Sequence, residues 1–407
     1  MYESRWPRWT GRRLREAVLD NVWLLPALGA LAGLLLALVV GTGGGEERDP
    51  WTVTVDRSRD TLFASLGLVF TALSIVLALA SVAAQNVVGR FGSRMLRIYA
   101  RRSADRWVIA VFAMAAMFIL TEQFQTRRLD PDDPAPVAAL VLSVLLLVAT
   151  GGTVIWYIAS LIRWFRTDRA VAGVVRATRE VARGIERKRR GTVPTPLPRR
   201  PADALDLPAP RSGHLAEVDA AAILRACQRV DALAVIEAPI GTAVGAGEPL
   251  GWVVSRDPDA RLAPAKPVAE TIDVSGTREL AQSLEYYLVA LVDIAIIALS
   301  PAVNDPNSAV EVLEEMGFLF HELAELPLGP YAAPDADSWP GVVVAARTFG
   351  QLVELASEQI VLYGLDDPKV RTALGRFAAS LQGLELGDAD RRIVDALAEQ
   401  VARGAED

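Results

Sequence analysis

The sequence predicts a helical membrane protein that continues into a water-soluble α+β domain. Four apolar runs occupy the first 165 residues, and the rest of the chain has none as long. Hydrophobic residues make up 52% of the 407 residues, a high share for a soluble chain. The charge is also divided, since residues 1–200 carry 28 basic and 16 acidic side chains and residues 201–407 carry 14 and 33. Because the basic residues flank apolar runs, they indicate membrane segments and argue against nucleic-acid binding.

Each apolar run is close to or above the length of about 20 residues that crosses a bilayer as a helix. None carries a charge at its centre, although Glu122 lies at the outer end of the third run. The first run is too long for a cleaved signal peptide, and three further runs follow it. The predicted spans cover residues 22–42, 62–88, 107–124 and 137–162.

Arginines are concentrated in alternate loops. They cluster before the first span, between the second and third spans, and after the fourth, whereas the other two loops hold few basic residues among acidic ones. Since basic loops stay on the cytoplasmic side, we expect a multi-pass protein of the cell inner membrane with both termini in the cytoplasm. The first cluster contains Arg5, Arg8, Arg12, Arg13 and Arg15.

The second span carries a stripe of small and polar side chains, repeated at alternating spacings of three and four residues. This rhythm places them on one face of a helix. Small residues allow close helix packing, but a row of hydroxyl and amide groups also suits a polar path, and both interpretations remain open. Gly29 and Gly33 in the first span form a similar pair, which predicts helix packing. The candidate residues of the polar path are Thr71, Ser74, Ser81, Gln85 and Asn86.

Two segments connect the membrane domain, predicted over residues 1–165, with the soluble half. Residues 165–190 combine basic side chains with an apolar rhythm, which predicts a helix near the anionic lipids of the inner leaflet. Residues 192–210 contain six prolines. Because proline interrupts helices and central strands, this part predicts an extended linker. The juxtamembrane helix and the linker together cover residues 166–208.

The soluble half is predicted to begin with a small β-rich unit over residues 209–270. Its glycines punctuate short apolar runs, and the spacing of Gly241, Val244, Gly247 and Leu250 is similar to half of a biotinyl- or lipoyl-type barrel-sandwich. The glycine-rich stretch contains no lysine, so a swinging-arm carrier is not expected. No Gly-Lys-Ser/Thr follows the glycines, which argues against a phosphate loop.

Residues 271–407 are predicted to form a helical subdomain. Apolar residues recur there at helical spacings, and the pair Asp305-Pro306 favours a helix start. The predicted helices cover residues 279–299, 306–323, 341–363, 368–384 and 389–403.

A polar corner lies between the first two of these helices. It is consistent with a capped turn, in which Asp305 and Asn304 satisfy free backbone amides. It is also a candidate oxygen-rich site for a cation or a polar ligand. The residues of the corner are Asp293, Ser300, Asn304, Asp305, Asn307 and Ser308.

The sequence offers little for catalysis. It contains one cysteine, Cys227, and two histidines, His214 and His321, which leaves few ligands for a zinc site. We find no nucleophile–base pair and no cofactor fingerprint. The sequence therefore predicts neither an enzyme nor a bound cofactor.

Three motifs resemble those of a known family. They are Gln-Asn-Val-Val-Gly-Arg-Phe at residues 85–91, Ser-Gly-His-Leu at residues 212–215, and the longer segment Leu291–Ala309. Together with the four apolar runs, they are similar to the predicted membrane proteins of the DUF2254 family. The resemblance spans nearly the whole chain and implies the architecture without implying a chemistry. The chain departs from the family pattern at His214, at the pair Gln282-Ser283 and at Ile297.

Two functions fit these observations best. The first is an oligomeric channel or transport protein with a cytoplasmic regulatory domain, whose partners are the bilayer, anionic lipids and further copies of the chain. Oligomers are expected because four spans are few for a path within one copy. The alternative is a membrane-anchored sensor or scaffold whose soluble domain binds a partner or a small ligand.

Overall fold

The computed structural model describes most of the chain as two compact units, built from residues 1–89 with 93–166 and from residues 90–92 with 167–407. The N-terminal arginine cluster and Gln282 lie outside the described residues. The described residues are 23–41, 53–92, 94–95, 103–132, 135, 137–164, 167–190, 192–256, 265–275, 283–333 and 339–404.

Four apolar helices form the first unit. They are α1 (Leu24–Gly41), α2 (Val55–Phe91), α3 (Ser103–Thr126) and α4 (Val137–Trp164). Among the described residues, α2, most of α3 and most of α4 are long and apolar enough to cross a membrane, whereas the apolar part of α1 is shorter. The structure therefore supports three of the four predicted spans by length and composition.

Helices α1 and α3 pack tightly through two glycines. A Cβ atom built on Gly29 would overlap the carbonyl oxygen of Ala110, and one built on Gly33 would overlap that of Met114. Only glycine allows such close backbone approach, as in small-xxx-small membrane helix pairs. Gly29 contacts Ala110 and Gly33 contacts Met114. Because residue numbers increase along both helices in the same order, α1 and α3 run in the same direction.

Hydrogen bonds join the N-terminal end of α2 to the C-terminal end of α3. Arg59 Nη2 donates to the carbonyl oxygens of Thr126 and Leu129, at 2.7 and 3.1 Å. The Asp56 amide donates to the Pro131 carbonyl at 3.2 Å. The acceptors are the carbonyl of Thr126, the last residue of α3, and two carbonyls of the segment that follows the helix.

The second unit begins with an amphipathic helix, α5 (Thr167–Lys188). Its apolar residues, which include Val171, Val174 and Val175, are fully buried because two later helices of the unit pack against them. The apolar rhythm of this segment is thus explained by protein packing. The exposed face keeps its basic side chains, namely Arg169, Arg176, Arg183 and Arg187.

A six-stranded mixed sheet lies at the centre of the second unit, in the order β1-β8-β9-β4-β6-β2. Its two edge strands both come from the proline-rich segment, which fits the restriction of proline to sheet edges. Only β4 and β9 pair in parallel. The strands are β1 (Val193–Pro194), β2 (Leu205–Pro208), β4 (Ala232–Ile236), β6 (Pro249–Ser255), β8 (Tyr331–Ala333) and β9 (Gly341–Val344).

A smaller sheet packs with the large one. Its strands are β3 (Gly213–Glu217), β5 (Ala243–Val244) and β7 (Asp273–Ser275), with β3 in the middle. Side chains from both sheets share one core with the helices α6 (Ala220–Arg229) and α7 (Ala265–Ala269). The strands around Gly241 are divided between a sheet of six strands and a sheet of three. This arrangement does not establish a barrel-sandwich, and that likeness stays a prediction.

Five helices complete the second unit. They are α8 (Leu284–Leu299), α9 (Pro306–Ala324), α10 (Phe349–Gly364), α11 (Pro368–Gln382) and α12 (Asp388–Arg403). Helices α8 and α9 are the two that cover α5, and α8 also packs on α10. The expected helix over residues 341–363 differs from the structure in its first part. Gly341–Val344 is strand β9, as three consecutive valines favour.

Candidate functional site

The polar stripe of α2 faces outward from its own unit. Thr71, Ser74, Ser81, Gln85 and Asn86 are all exposed. The buried face of α2 is a different one, formed by Leu62, Ser65, Val69, Val76, Ala83 and Val87. The stripe is therefore not a packing seam with a described part of the same unit.

Three stripe residues bond to the backbone of α2. Thr71 Oγ1 donates to the Gly67 carbonyl at 2.8 Å, and Ser74 Oγ donates to the Phe70 carbonyl at 2.9 Å. Asn86 Nδ2 donates to the Val82 carbonyl at 3.0 Å. A donating hydroxyl keeps its acceptor lone pairs. The two hydroxyl groups can therefore accept further hydrogen bonds, or help to solvate a cation, while they donate to their own helix.

The structure places the corner residues around the turn from α8 to α9. Asp305 caps α9, where its side-chain oxygens accept from the amide and the hydroxyl of Ser308, at 3.3 and 2.6 Å. The Asn304 amide donates to the Ser300 carbonyl at 2.9 Å, and Asn304 has a φ of 48°, a conformation that asparagine tolerates better than most residues.

The remaining corner residues point to separate partners. Asn307 Oδ1 accepts from Lys369 Nζ of α11 at 3.1 Å. Asp293 lies almost two turns before Ser300 on α8, which has its C-cap at Ser300. The corner is thus stabilised by hydrogen bonds of its own. Its role as a ligand site stays a prediction.

Asp293 lies close to the residue that follows the motif of residues 85–91. Residues 90–92, which are the last two residues of α2 and the glycine after it, belong to the second unit. A Cβ atom built on Gly92 would lie 3.5 Å from Asp293 Cβ and 3.4 Å from Ile297 Cδ1. Gly92 has a φ of 84°, as expected for a glycine that ends a helix in the left-handed conformation. Two segments far apart in sequence therefore meet here.

Glu122 is a candidate that sequence reasoning missed. It lies on α3 within the membrane unit and is 0% exposed. Neither carboxyl oxygen has a hydrogen-bond partner in the described part of the chain. The signal was present in the sequence, since an acidic residue inside an apolar run marks a functional position by default. Its place near the end of the run made it look like an interfacial residue.

The C-terminal end of α5 is fixed to the sheet region by Arg189. Its Nη1 donates to the carbonyl oxygens of Pro327 and Gly329, and its guanidinium carbon lies 4.3 Å from the centre of the Tyr331 ring. Burial lowers the pKa of Arg189 and raises the pKa of Tyr331. These contacts make the end of α5 a fixed point of the second unit.

Charged residues also join α5 to α9. Arg179 donates to both carboxyl oxygens of Glu322 at 2.7 to 3.0 Å, and this hydrogen bonding raises the pKa of Arg179. Partial burial, followed by the neighbouring carboxylate of Asp168, raises the pKa of Glu311 on α9. The contact between α5 and α9 therefore contains one ion pair, Arg179–Glu322, and one set of mutually repelling acids around Glu311.

Comparison with known proteins identifies the family. The model of the DUF2254 family, described as a predicted membrane protein, matches residues 20–379. The chain belongs to the DUF2254 family. Its relatives include uncharacterized proteins of Mycobacterium bovis and of Mycobacterium tuberculosis strain H37Rv. Each is 29% identical over 387 residues, which cover 88% of this chain and 72% of the relative. No solved structure matches the chain.

The family match covers both units of this DUF2254 protein, from the first apolar helix into α11. Among the described residues, no three histidine, cysteine, aspartate or glutamate side chains are grouped to hold a metal ion. A shallow groove of about 450 Å³ between α9 and α11 is lined by Asn307, Lys369 and Arg376. A second, of about 320 Å³, lies between α11 and α12.

Cys227 of this DUF2254 protein is predicted to resist thiol reagents until the second unit unfolds. It is the only cysteine, it is 0% exposed within the core around α6, and burial raises its pKa to about 11. Because thiolate is the reactive form, maleimide labelling near pH 7 should be very slow in the folded protein. Labelling should become complete in denaturant, as mass spectrometry of the intact chain would show. Rapid labelling of the folded protein would contradict the buried position.

Proposed function

We propose that this DUF2254 protein is an oligomeric channel or transport protein of the cell inner membrane, with a cytoplasmic regulatory unit. In this proposal, α1 is a fourth membrane span and both termini lie in the cytoplasm. The α2 helices of several copies turn their polar stripes toward a shared path. The bilayer, its anionic lipids and further copies of the chain are the proposed partners.

The contact between α1 and α3 supports the fourth span. Gly29 and Gly33 bring the two helices together in the same direction, side by side from Ala110 to Met114. Near the end of this contact, Gln125 Nε2 donates to the Ala37 carbonyl at 3.2 Å. If α3 crosses the membrane, a parallel helix held along it is expected to share its depth. The 18 residues of α1 reach about 27 Å at 1.5 Å per residue, close to a hydrocarbon core of about 30 Å.

The observation that carries the transport proposal is the outward exposure of the polar stripe. A stripe used for packing within one copy would be covered, whereas Ser74, Ser81 and Gln85 are open. Ser74 already donates to its own helix, but lipid tails offer its acceptor lone pairs and the side-chain amide of Gln85 no hydrogen bonds. A second copy of α2, or water enclosed by several copies, would provide them. Oligomers that share this face explain the polar residues better than isolated copies in lipid do.

The regulatory role rests on the connection through α5. This helix begins at Thr167, three residues after α4 ends at Trp164. It is fixed to the cytoplasmic unit by its buried valines, by the Arg179–Glu322 pair and by Arg189. A rearrangement of the unit would therefore move the chain at the end of α4. The exposed arginines of α5 are suited to anionic lipid head groups.

Ion flux across liposomes tests the path. Purified protein is reconstituted, salt gradients are imposed, and wild type is compared with Ser74→Leu and Ser81→Leu. Leucine removes the acceptor oxygen and narrows a path lined by these residues. We expect each variant to lower the flux at least several-fold while the protein remains monodisperse.

Thr153→Leu provides the matched control for this experiment. Thr153 lies on α4 and donates to its own helix, at the Ala149 carbonyl, at 2.7 Å. The change removes the same kind of hydroxyl outside the stripe, so the flux should stay at the wild-type level. Native mass spectrometry adds a second check, because a uniform monomer would exclude a path shared between copies.

The sensor or scaffold alternative is favoured by one observation. The groove between α9 and α11 presents Lys369 and Arg376 to solvent. Arg376 pairs with Glu314 at 3.2 Å, whereas Lys369 donates to the neutral amide of Asn307 and keeps a positive charge for a small anionic ligand. If wild-type protein gives no flux above empty liposomes for several ions and pH values, this alternative replaces the transport proposal.

A further inference from the structure

Glu122 occupies an unusual position for a carboxyl group. It lies four residues before Thr126, the last residue of α3, and is therefore about 6 Å inside the end of the helix. The side chain is 0% exposed, and neither oxygen accepts a hydrogen bond within the described part of the chain. Isolated carboxylates are too costly to bury in apolar surroundings without compensation.

The neighbouring polar side chains of α3 are committed elsewhere. Thr121 Oγ1 donates to the Met117 carbonyl at 2.7 Å, and Thr126 Oγ1 donates to the backbone carbonyl of Glu122 at 3.0 Å. Gln125 reaches across to Ala37 of α1. The carboxyl group of Glu122 is thus left out of a network that satisfies the groups around it.

The charged groups near this end of the unit do not pair with Glu122. Helix α1 contains no ionisable residue, and in α4 only Arg163, near the opposite end, is charged. The guanidinium of Arg59 on α2 reaches the end of α3, where it donates to the carbonyls of Thr126 and Leu129. None of the other charged side chains that the structure describes at this end donates a hydrogen bond to the Glu122 carboxyl; they are Asp56, Arg57, Asp60, Arg127, Arg128, Asp130 and Asp132. Arg59 and Glu122 form no ion pair, so the carboxyl needs some other cation or must be neutral.

We infer that Glu122 is a proton-binding site inside the membrane unit, enclosed between α3 and its neighbours as the neutral acid. A metal ion is the weaker match, because such ions need several oxygen ligands and no cluster of three acidic, histidine or cysteine side chains occurs in the described chain. A proton needs only the one carboxyl. This inference is independent of the proposed path along α2, because Glu122 lies on another helix and is buried.

Proton binding at this position would give the membrane unit two states. The neutral acid is compatible with the enclosed site. Loss of the proton creates a charge that requires water or a cationic partner, and Arg59, which bonds to the last residue of α3, is one such partner. Deprotonation therefore favours an opening at the end of the unit that contains the Arg59 bonds to α3.

Infrared spectroscopy of the full chain in lipid nanodiscs tests the assignment. Wild type is compared near pH 7 with Glu122→Gln, which keeps the shape and neutrality of the protonated side chain. We expect the wild type to show a protonated-carboxyl stretching band that the variant loses completely. Carboxyl groups exposed to water are ionised at this pH and give no such band.

Further measurements keep the result decisive. Glu122→Asp retains a carboxyl group, so its band should shift but not vanish, and this variant serves if the glutamine variant is not monodisperse. A band unchanged in both variants belongs to another group and overturns the inference.

The choice of buffer cation separates a proton site from a metal site. If the wild-type band is absent in sodium buffer and appears in choline buffer, the site binds a metal cation and the proton assignment is overturned. Absence in both buffers shows an ionised Glu122 and also overturns it. Failure of the flux experiment would leave this spectrum unaffected.

Discussion

Gly33→Ala is expected to destabilise the membrane unit by about 1–3 kcal/mol, the usual cost of adding a carbon to a packed interior. The new Cβ atom would overlap the carbonyl oxygen of Met114, which is backbone and cannot move aside without separating α1 from α3. Gly33→Leu should prevent the close contact and lower the yield of monodisperse protein. The midpoint of thermal unfolding in detergent measures the first effect, and size-exclusion chromatography measures the second.

Gly151→Ala is the matched control for this prediction. Gly151 lies on α4, and a Cβ atom built on it would meet no atom within 4 Å. Replacing glycine by alanine inside a helix stabilises both variants through helix propensity by about 1 kcal/mol. The difference between their unfolding midpoints therefore reports the atomic overlap alone. Equal midpoints for the two variants would show that α1 does not pack on α3 through Gly33. The argument for α1 as a fourth span would then lose its basis.

The glycine pair shows how far sequence reasoning reaches in the membrane unit. The four-residue spacing of Gly29 and Gly33 predicts a packing face because it follows from helix geometry alone. The partner residues Ala110 and Met114 carry no matching signal, since the contact uses their backbone oxygens. Local periodicity reveals the face of a helix, and the partner of that face depends on the arrangement of the other helices.

The stripe of α2 and Glu122 illustrate the same limit for the candidate sites. Spacing places Ser74, Ser81 and Gln85 on one face, but their exposure depends on how α2 is rotated in the unit. Glu122 is visible in the sequence as an acid inside an apolar run. Its complete burial, and the commitment of its neighbours to other acceptors, emerge only from the packed structure.

The six-stranded sheet of the second unit shows a limit that arises from distance along the chain. The short strands around Gly241 are predicted from glycine punctuation, but β4 pairs with β9, which lies about 100 residues later. Pairing at such separation leaves no local pattern. Residues 341–344 were expected to begin a helix because the apolar run continues into α10. The three valines were the signal for a strand.

Gly251→Ala is expected to have the largest effect on the second unit. Gly251 lies on β6 opposite Ile236 of β4, and an added Cβ atom would overlap the carbonyl oxygen of Val235 and lie 2.9 Å from the Glu237 amide. The central strand pair must separate to accommodate it. We expect a loss of about 3 kcal/mol or more, at or beyond the upper end for an overpacked interior. The urea midpoint for maleimide labelling of Cys227 measures the change.

Gly245→Ala distinguishes this overlap from a general cost of replacing glycine in the same region. A Cβ atom built on Gly245 would lie 3.5 Å from Glu248 Oε2, an ordinary van der Waals contact, so the labelling midpoint should stay near wild type. Cys227 shares the core of the large sheet with Leu250, so its labelling reports unfolding at the altered strand pair. An unchanged midpoint for Gly251→Ala would mean that β4 and β6 are not paired in this register. The sheet order that connects the β2 edge to β9 would then be wrong as well, because β4 and β6 lie between these two strands.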